Sequence, residues 1–154
     1  MIRGIHHAAI SVPDLGKALK FYCDLLGFEK ILKFNWAVGS ESSDKVNGLT
    51  DTAAKAVIIK KGNACLELFQ YSSPEPKPGA MDRPVCDHGI THICLDVTDI
   101  EAEYERLKSL GMVFHCPPQS NEAVCVTYGR DPFGNVVELQ EIFDKSLPTV
   151  LKYD

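Results

Sequence analysis

Apolar and polar residues alternate from Gly4 to Val12, with Ala8, Ile10 and Val12 on one face and His7, Ala9 and Ser11 on the other, which predicts a strand. Pro13 stops the alternation, and Asp14 is placed to cap a helix from about Leu15 to Leu26. Within it Leu15, Ala18, Leu19, Tyr22, Leu25 and Leu26 recur at intervals of three and four, an amphipathic stripe, and Gly27 follows as a left-handed cap. Phe28 to Trp36 predicts a second strand. The polar run from Ala37 to Thr52 predicts a loop with room for a short helical turn. Ala54–Lys60 and Ala64–Gln70 then pair as a hairpin around Lys61-Gly62-Asn63. Pro74, Pro76, Pro78 and Pro84 deprive the stretch from Tyr71 to Val85 of ladder donors, so it reads as an ordered connector.

The pattern then repeats. Gly89 to Val97 predicts a strand, Asp99 a cap, Ile100 to Leu110 a helix and Gly111 its stop. Strands follow at Met112–Cys116 and Ala123–Gly129, with Pro117 and Pro118 opening the loop between them. Asp131-Pro132-Phe133-Gly134-Asn135 is a turn, Val136 to Phe143 the last strand, and Asp144 to Asp154 a tail. His7, Val12 and Asp14 recur as His92, Val97 and Asp99 at one offset of 85 residues, and Gly27 recurs as Gly111 at 84. Each copy ends on an apolar strand with one embedded acid, Glu67 in Leu66-Glu67-Leu68 and Glu138 in Val137-Glu138-Leu139. The interval from His to Glu is 60 residues in the first copy and 46 in the second; the difference of 14 matches the polar segment from Ala37 to Thr52.

Parity fixes where the polar residues point. Ile93, Leu95 and Val97 form an aliphatic face that must lie against a helix, so His92, Cys94 and Asp96 point to the opposite face. By the same rule Glu67 with Phe69, and Glu138 with Val136 and Gln140, point away from helix-packed Leu66, Leu68, Val137 and Leu139. Two such sheets facing each other would enclose His7, Glu67, His92 and Glu138 in a cup. Taken singly, a strand histidine is an ordinary rim or core residue and a strand glutamate faces water. Four such residues in matched repeat positions favour a divalent metal, which would compensate two partly buried carboxylates at once. Imidazole nitrogen and carboxylate oxygen suit Zn, Ni, Co, Mn or Fe(II), one ion per chain, with coordination positions left open.

Composition narrows the field. The 154 residues suffice for one domain, and 45% hydrophobic with 24% charged residues is ordinary for a globular chain. A net charge of −5 and no Lys/Arg run beyond two residues speak against a nucleic-acid surface. No apolar run is long enough for a membrane span, and the N-terminus enters strand pattern directly, with no signal peptide pattern. Cys23, Cys65, Cys86, Cys94, Cys116 and Cys125 include no CxxC pair and read as reduced thiols of a cytoplasmic protein.

The opening HHAAISVPDL, the helix end FYCDLLGF, the second THICLDVTD and the closing DPFGNVVELQE resemble the vicinal oxygen chelate superfamily of glyoxalase, bleomycin-resistance and extradiol-dioxygenase proteins, over about residues 4 to 143. The resemblance implies an α+β fold: two βαβββ modules, residues 4–71 and 87–143, joined by the Pro-rich connector 72–86 in a single domain spanning 1–154, with a tail from 144. It implies a cup-shaped mixed sheet around one divalent metal held by His7, Glu67, His92 and Glu138. A His/Glu/His/Glu set resembles the glyoxalase I branch, whose chemistry is a lyase or isomerase reaction on a hydroxycarbonyl-type substrate, moving a proton through an enediolate. Glu67 or Glu138 would be the base. Methylmalonyl-CoA epimerases typically carry Gln in place of Glu67, and extradiol dioxygenases need only the equivalents of His7, His92 and Glu138. A ligand-sequestering protein of the bleomycin-resistance type generally lacks the full set, and an interaction module would carry a metal closed to exchangeable water. Glutathione-using glyoxalases resemble one another in an arginine on the first strand, where this chain has Ile10 or its neighbours and no clear clamp for the glutathione carboxylate.

Phe34, Trp36, Phe69, Tyr128 and Arg130 are candidate substrate-binding residues, Arg130 for an anionic group. His6 is expected on the face opposite His7 as a structural residue, with His88 and His115 as loop or strand histidines. The resemblance further implies a small-molecule substrate and a homodimer, with neither nucleic acid nor membrane as partner.

Overall fold

The computed structural model describes residues 1–153; the last tail residue, Asp154, lies outside them. The chain divides into two compact units, Met1–Pro78 and Gly79–Asp154, the boundary falling within the Pro-rich connector. Strands and helices mix in both, as the α+β reading expects. Among the described residues no helix is long and apolar enough to cross a membrane.

In the first unit β1 (His7–Ser11) is followed by α1 (Leu15–Leu19), β2 (Glu29–Trp36), α2 (Glu41–Asn47), β3 (Ala53–Lys61) and β4 (Ala64–Ser73). The sheet order is β1-β4-β3-β2; β1 runs parallel to β4, and the other pairs are antiparallel. Asp14 caps α1 as its sequence position predicts, accepting from the Lys17 amide at 2.9 Å. The helix does not stay α-helical to Leu26: Lys20–Leu25 forms a π-helical turn. Its wider turn brings the neighbours Phe21 and Tyr22 onto the buried side together, ring centroids 5.1 Å apart and edge to face, whereas a strict three-four stripe leaves Phe21 out. The core under this helix includes Ala18, Tyr22, Val57, Ile59, Leu66 and Leu68, all buried. The polar segment expected as a loop holds a two-turn helix, α2, closed by left-handed Gly48.

The second unit runs β5 (His92–Asp96), α3 (Ile100–Ser109), β6 (Val113–Phe114), β7 (Gln119–Ser120), β8 (Val124–Arg130) and β9 (Val136–Ile142). The order β5-β9-β8-β6, with β5 parallel to β9, repeats the first sheet. The strand expected over Met112–Cys116 shortens to two residues, and β7 pairs with β8 beyond the two prolines. Leu107, Val137 and Leu139 are fully buried between α3 and the sheet. Gly27 and Gly111 both take positive φ (75° and 95°) after their helices, as expected of left-handed C-caps.

The repeats also share a contact that no periodicity marks. The Gln70 side chain accepts from the Leu15 amide at 3.0 Å; Glu141 accepts from the Asp99 and Ile100 amides at 3.0 and 2.9 Å. In both repeats a residue three positions beyond the embedded glutamate satisfies the open N–H groups at the helix start.

The DPFGN turn is built around buried Asp131, whose carboxylate accepts from the Phe133 and Asn135 amides at 2.9 and 2.8 Å and from Asn135 Nδ2 at 2.8 Å. Arg130 donates to the Gly134 carbonyl at 2.7 Å and the Arg83 carbonyl at 3.0 Å.

Candidate metal centre

In the first unit His7 pairs with Cys65 across β1 and β4, so Glu67 stands two residues along on the same face; in the second His92 pairs with Val136, and Glu138 stands two along. The histidine–glutamate diagonal is therefore identical in both parallel ladders. The diagonals are closed: His7 Nε2 lies 3.1 Å from Glu67 Oε2, and His92 Nε2 lies 2.9 Å from Glu138 Oε2. Both glutamates are buried, 8% and 7% exposed, which is what makes a cationic partner valuable to them.

The other ring nitrogen of each histidine is also held, in both cases by the residue just before it. His7 Nδ1 lies 2.8 Å from His6 Nδ1, and His92 Nδ1 lies 2.8 Å from Thr91 Oγ1. A hydrogen bond at Nδ1 orients the ring and leaves Nε2 directed at the carboxylate, the arrangement a metal-binding imidazole requires. His6 thus corrects the expectation of a structural residue on the far face. It precedes β1, is exposed, and meets the His7 ring at 5.1 Å, edge on. The break in alternation at the strand start is what frees it to turn.

Around Glu138 the second unit places Tyr128, its direct register partner, whose ring centroid is 4.9 Å from that of His92. Burial raises the Tyr128 phenol above its ordinary value, and the Glu138 charge adds to this; Tyr71 is raised by burial and by Glu67. Desolvation, then the neighbouring Glu138 carboxylate, push the Cys94 thiol up to about 12, so its sulfur stays protonated beside Glu138 although the residue as a whole is exposed. His88 and His115 are exposed, the latter 6.3 Å from the Tyr128 ring.

Around Glu67 the first unit places an aromatic wall. Phe34 and Phe69 both pair with Ala56, and Trp36 and Tyr71 both pair with Ala54, so two buried alanines let the outer rings meet across β3. Ring centroids are 6.4 Å apart for Phe34–Phe69 and 6.0 Å for Trp36–Tyr71. Of the candidate substrate residues, Phe34, Trp36 and Phe69 gather on the Glu67 face and Tyr128 on the Glu138 face. Arg130 does not join them: its guanidinium holds the two carbonyls of the turn and connector and is occupied in structure.

The donor set fits a first-row divalent ion. Such ions hold nitrogen and oxygen at about 2.0–2.2 Å, so two donors at a right angle lie about 3 Å apart; the separations of 3.1 and 2.9 Å suit this as well as a direct hydrogen bond. Each unit brings two donors together. Among the described residues no group of three or more His, Cys, Asp or Glu side chains is assembled for a metal.

Residues 4–139 match the model of the Glyoxalase/Bleomycin resistance protein/Dioxygenase superfamily, and the chain belongs to that superfamily. It is 33% identical over 148 residues to an ethylmalonyl-CoA/methylmalonyl-CoA epimerase of Cereibacter sphaeroides, covering 92% of this chain and all of the relative. It is 28% identical over 107 residues to a 2-epi-5-epi-valiolone epimerase of Actinomyces sp, where 68% of this chain spans 57% of the relative's length. A glyoxalase family protein from Bacillus cereus superposes with a TM-score of 0.83 at 21% identity, covering 92% of this chain and 95% of that one. The fosfomycin resistance protein FosX of Listeria monocytogenes, in complex with Mn(II) and sulfate, superposes at 0.59 with 18% identity, covering 92% and 93%.

Proposed function

We propose that the protein is a metal-dependent enzyme that moves a proton α to a carbonyl, a lyase or isomerase of the glyoxalase type acting on a small substrate with two adjacent oxygens. The observation that carries the reading is the repeated diagonal: two buried glutamates, each held to a histidine whose second nitrogen is fixed, in identical registers. His7, Glu67, His92 and Glu138 together hold the ion in this reading. When bound, it would stabilise the charge that develops on the two substrate oxygens as the proton leaves. The chain's own part is to position and to accept the proton. His6 and Thr91 fix the two rings, and the sheet faces limit water around the carboxylates. One glutamate oxygen takes the α-proton and returns it to the neighbouring carbon on the same face, or the other glutamate, in its protonated form, delivers a proton to the same carbon from the opposite face. The epimerase names of the two relatives accord with chemistry of this class.

The test is protein loaded in turn with zinc, nickel or iron(II), with and without oxygen, and offered 2-hydroxycarbonyl, thiohemiacetal and catechol compounds in deuterated water. Oxygen-independent incorporation of deuterium at the α-carbon, supported by zinc or nickel, is expected. Oxygen uptake on catechols confined to the iron form would overturn the reading.

A further inference from the structure

The 14-residue excess of the first repeat over the second is where α2 lies, and α2 gives the Glu67 face something the Glu138 face lacks. It walls a cavity of about 440 Å³ whose lining includes Phe34, Trp36, Phe69, Val46 and the Glu67 side chain. Volumes of this order are those of small-molecule sites.

The wall is fixed in place by its own polar groups. Trp36 Nε1 donates to Thr52 Oγ1 at 2.9 Å, and the Thr52 hydroxyl and amide donate to Asp44 of α2 at 2.6 and 2.8 Å. Tyr71 donates to Asn47 of α2 at 2.9 Å. These bonds occupy the Trp36 indole N–H and the Tyr71 hydroxyl, while the uncharged Asn35 and Ser42 also line the cavity. Val46, an aliphatic residue on the cavity side of α2, is 89% exposed. Among the described residues that line the cavity none is Lys or Arg, so the one charge facing it is Glu67.

We infer that this cavity receives the uncharged apolar group, aryl or branched alkyl, attached to the reacting carbon of the substrate, and that α2 sets that preference. The inference rests on the proposed role of Glu67 beside that carbon. An anionic carrier group would meet the Glu67 carboxylate and no compensating cation, and is disfavoured. A flat ring would cover Val46 and pack against Phe34, Trp36 and Phe69, gaining apolar burial that a methyl group cannot.

Trp36 is the only tryptophan in the chain, so its fluorescence reports occupancy without turnover. The full-length protein is titrated with 2-hydroxyacetophenone, hydroxyacetone and 4-(2-hydroxyacetyl)benzoate, with calorimetry as a second measure. Saturable quenching by the neutral aryl compound is expected, with affinity at least about tenfold above the other two. Val46→Glu, on an exposed helical position that tolerates the change, should weaken aryl binding by about tenfold, whereas Val46→Leu should keep it. Equal affinity for the three compounds, preference for the benzoate, or no quenching would overturn the inference. Because binding is read apart from chemistry, aryl preference without proton exchange would sink only the enzymatic reading, and exchange without aryl preference would sink only the cavity assignment.

Discussion

His92 Nε2 and Glu138 Oε2 face each other at 2.9 Å across two parallel strands, the glutamate standing two residues beyond the position paired with the histidine. His7 and Glu67 repeat that offset at 3.1 Å. If both pairs serve one ion, they contribute comparably to holding it. Removal of either histidine, His7→Ala or His92→Ala, should lower metal affinity by about 10²-fold or more. The unaltered protein should bind about one first-row divalent ion per chain. Elemental analysis and competitive chelator titration measure both. Full-affinity binding by the His7→Ala protein would show that the first pair is not part of the site.

The DPFGN turn depends on one acid. Asp131 is 4% exposed and holds three N–H donors between Phe133 and Asn135. Asp131→Ala removes the acceptor of those donors, which water replaces only in part because Asn135 is exposed, and should cost about 1–2 kcal/mol. Denaturant unfolding of the variant measures this. Arg130→Gln should destabilise by a smaller amount and leave ligand affinity alone, since the guanidinium is engaged with carbonyls of its own unit. A loss of affinity for anionic ligands in that variant would return Arg130 to the site.

The anchorage of α2 should depend on acid. Hydrogen bonds from the Thr52 side chain, then from the Thr52 and Asp51 amides, hold the Asp44 carboxyl below its ordinary value of 3.8. A depressed folded-state pKa means the anchorage is complete above the unfolded value and is lost as pH falls through the lower folded one. Thr52 also receives the Trp36 indole hydrogen bond, so the fluorescence of Trp36 should change on acidification below about pH 4. Asp44→Asn should abolish that transition; an unchanged transition in the variant would show that another group governs it.

Much of this architecture was legible because it depends on short periods. The alternation through His92-Ile93-Cys94 sets His92 and Cys94 on one face, and on that face the His92 ring meets the Glu138 carboxylate at 2.9 Å. The offset of 85 residues located the repeat, whose equivalence the two parallel ladders make explicit. Features that depend on a single local departure were not legible. Periodicity assumes 3.6 residues per turn, so the π-helical turn that buries Phe21 lay outside it. His6 was assigned by extending the strand past its first paired residue, where parity no longer applies. For Arg130 the sequence leaves an anion ligand and a surface ion pair equally open; the Gly134 and Arg83 carbonyls become its partners only once the turn is folded. Helix α2 was masked by a run of serines and acids with little apolar periodicity, and tertiary bonds from Thr52 and Tyr71 fix it to the sheet.

The two glutamates share a register but not surroundings, and this bears on which one moves the proton. Glu138 is hemmed by His92, by the Cys94 thiol and by Tyr128 directly across the sheet. Glu67 has Ile58 across from it, where the second unit has Tyr128, and its side chain lines the aromatic cavity. A base must be able to reach the substrate carbon, so the acid that opens on the cavity is the better placed of the two. Glu67→Gln should therefore keep most metal affinity, since the amide oxygen still coordinates, while turnover falls by ~10²–10⁴. Glu138→Gln should keep metal affinity on the same ground, and its turnover per bound ion should fall less. Metal content, steady-state turnover and α-deuterium exchange, each normalised to bound ion, separate the two roles. If Glu138→Gln abolishes exchange at full metal occupancy while Glu67→Gln retains it, the base is Glu138, and the cavity beside Glu67 serves binding alone.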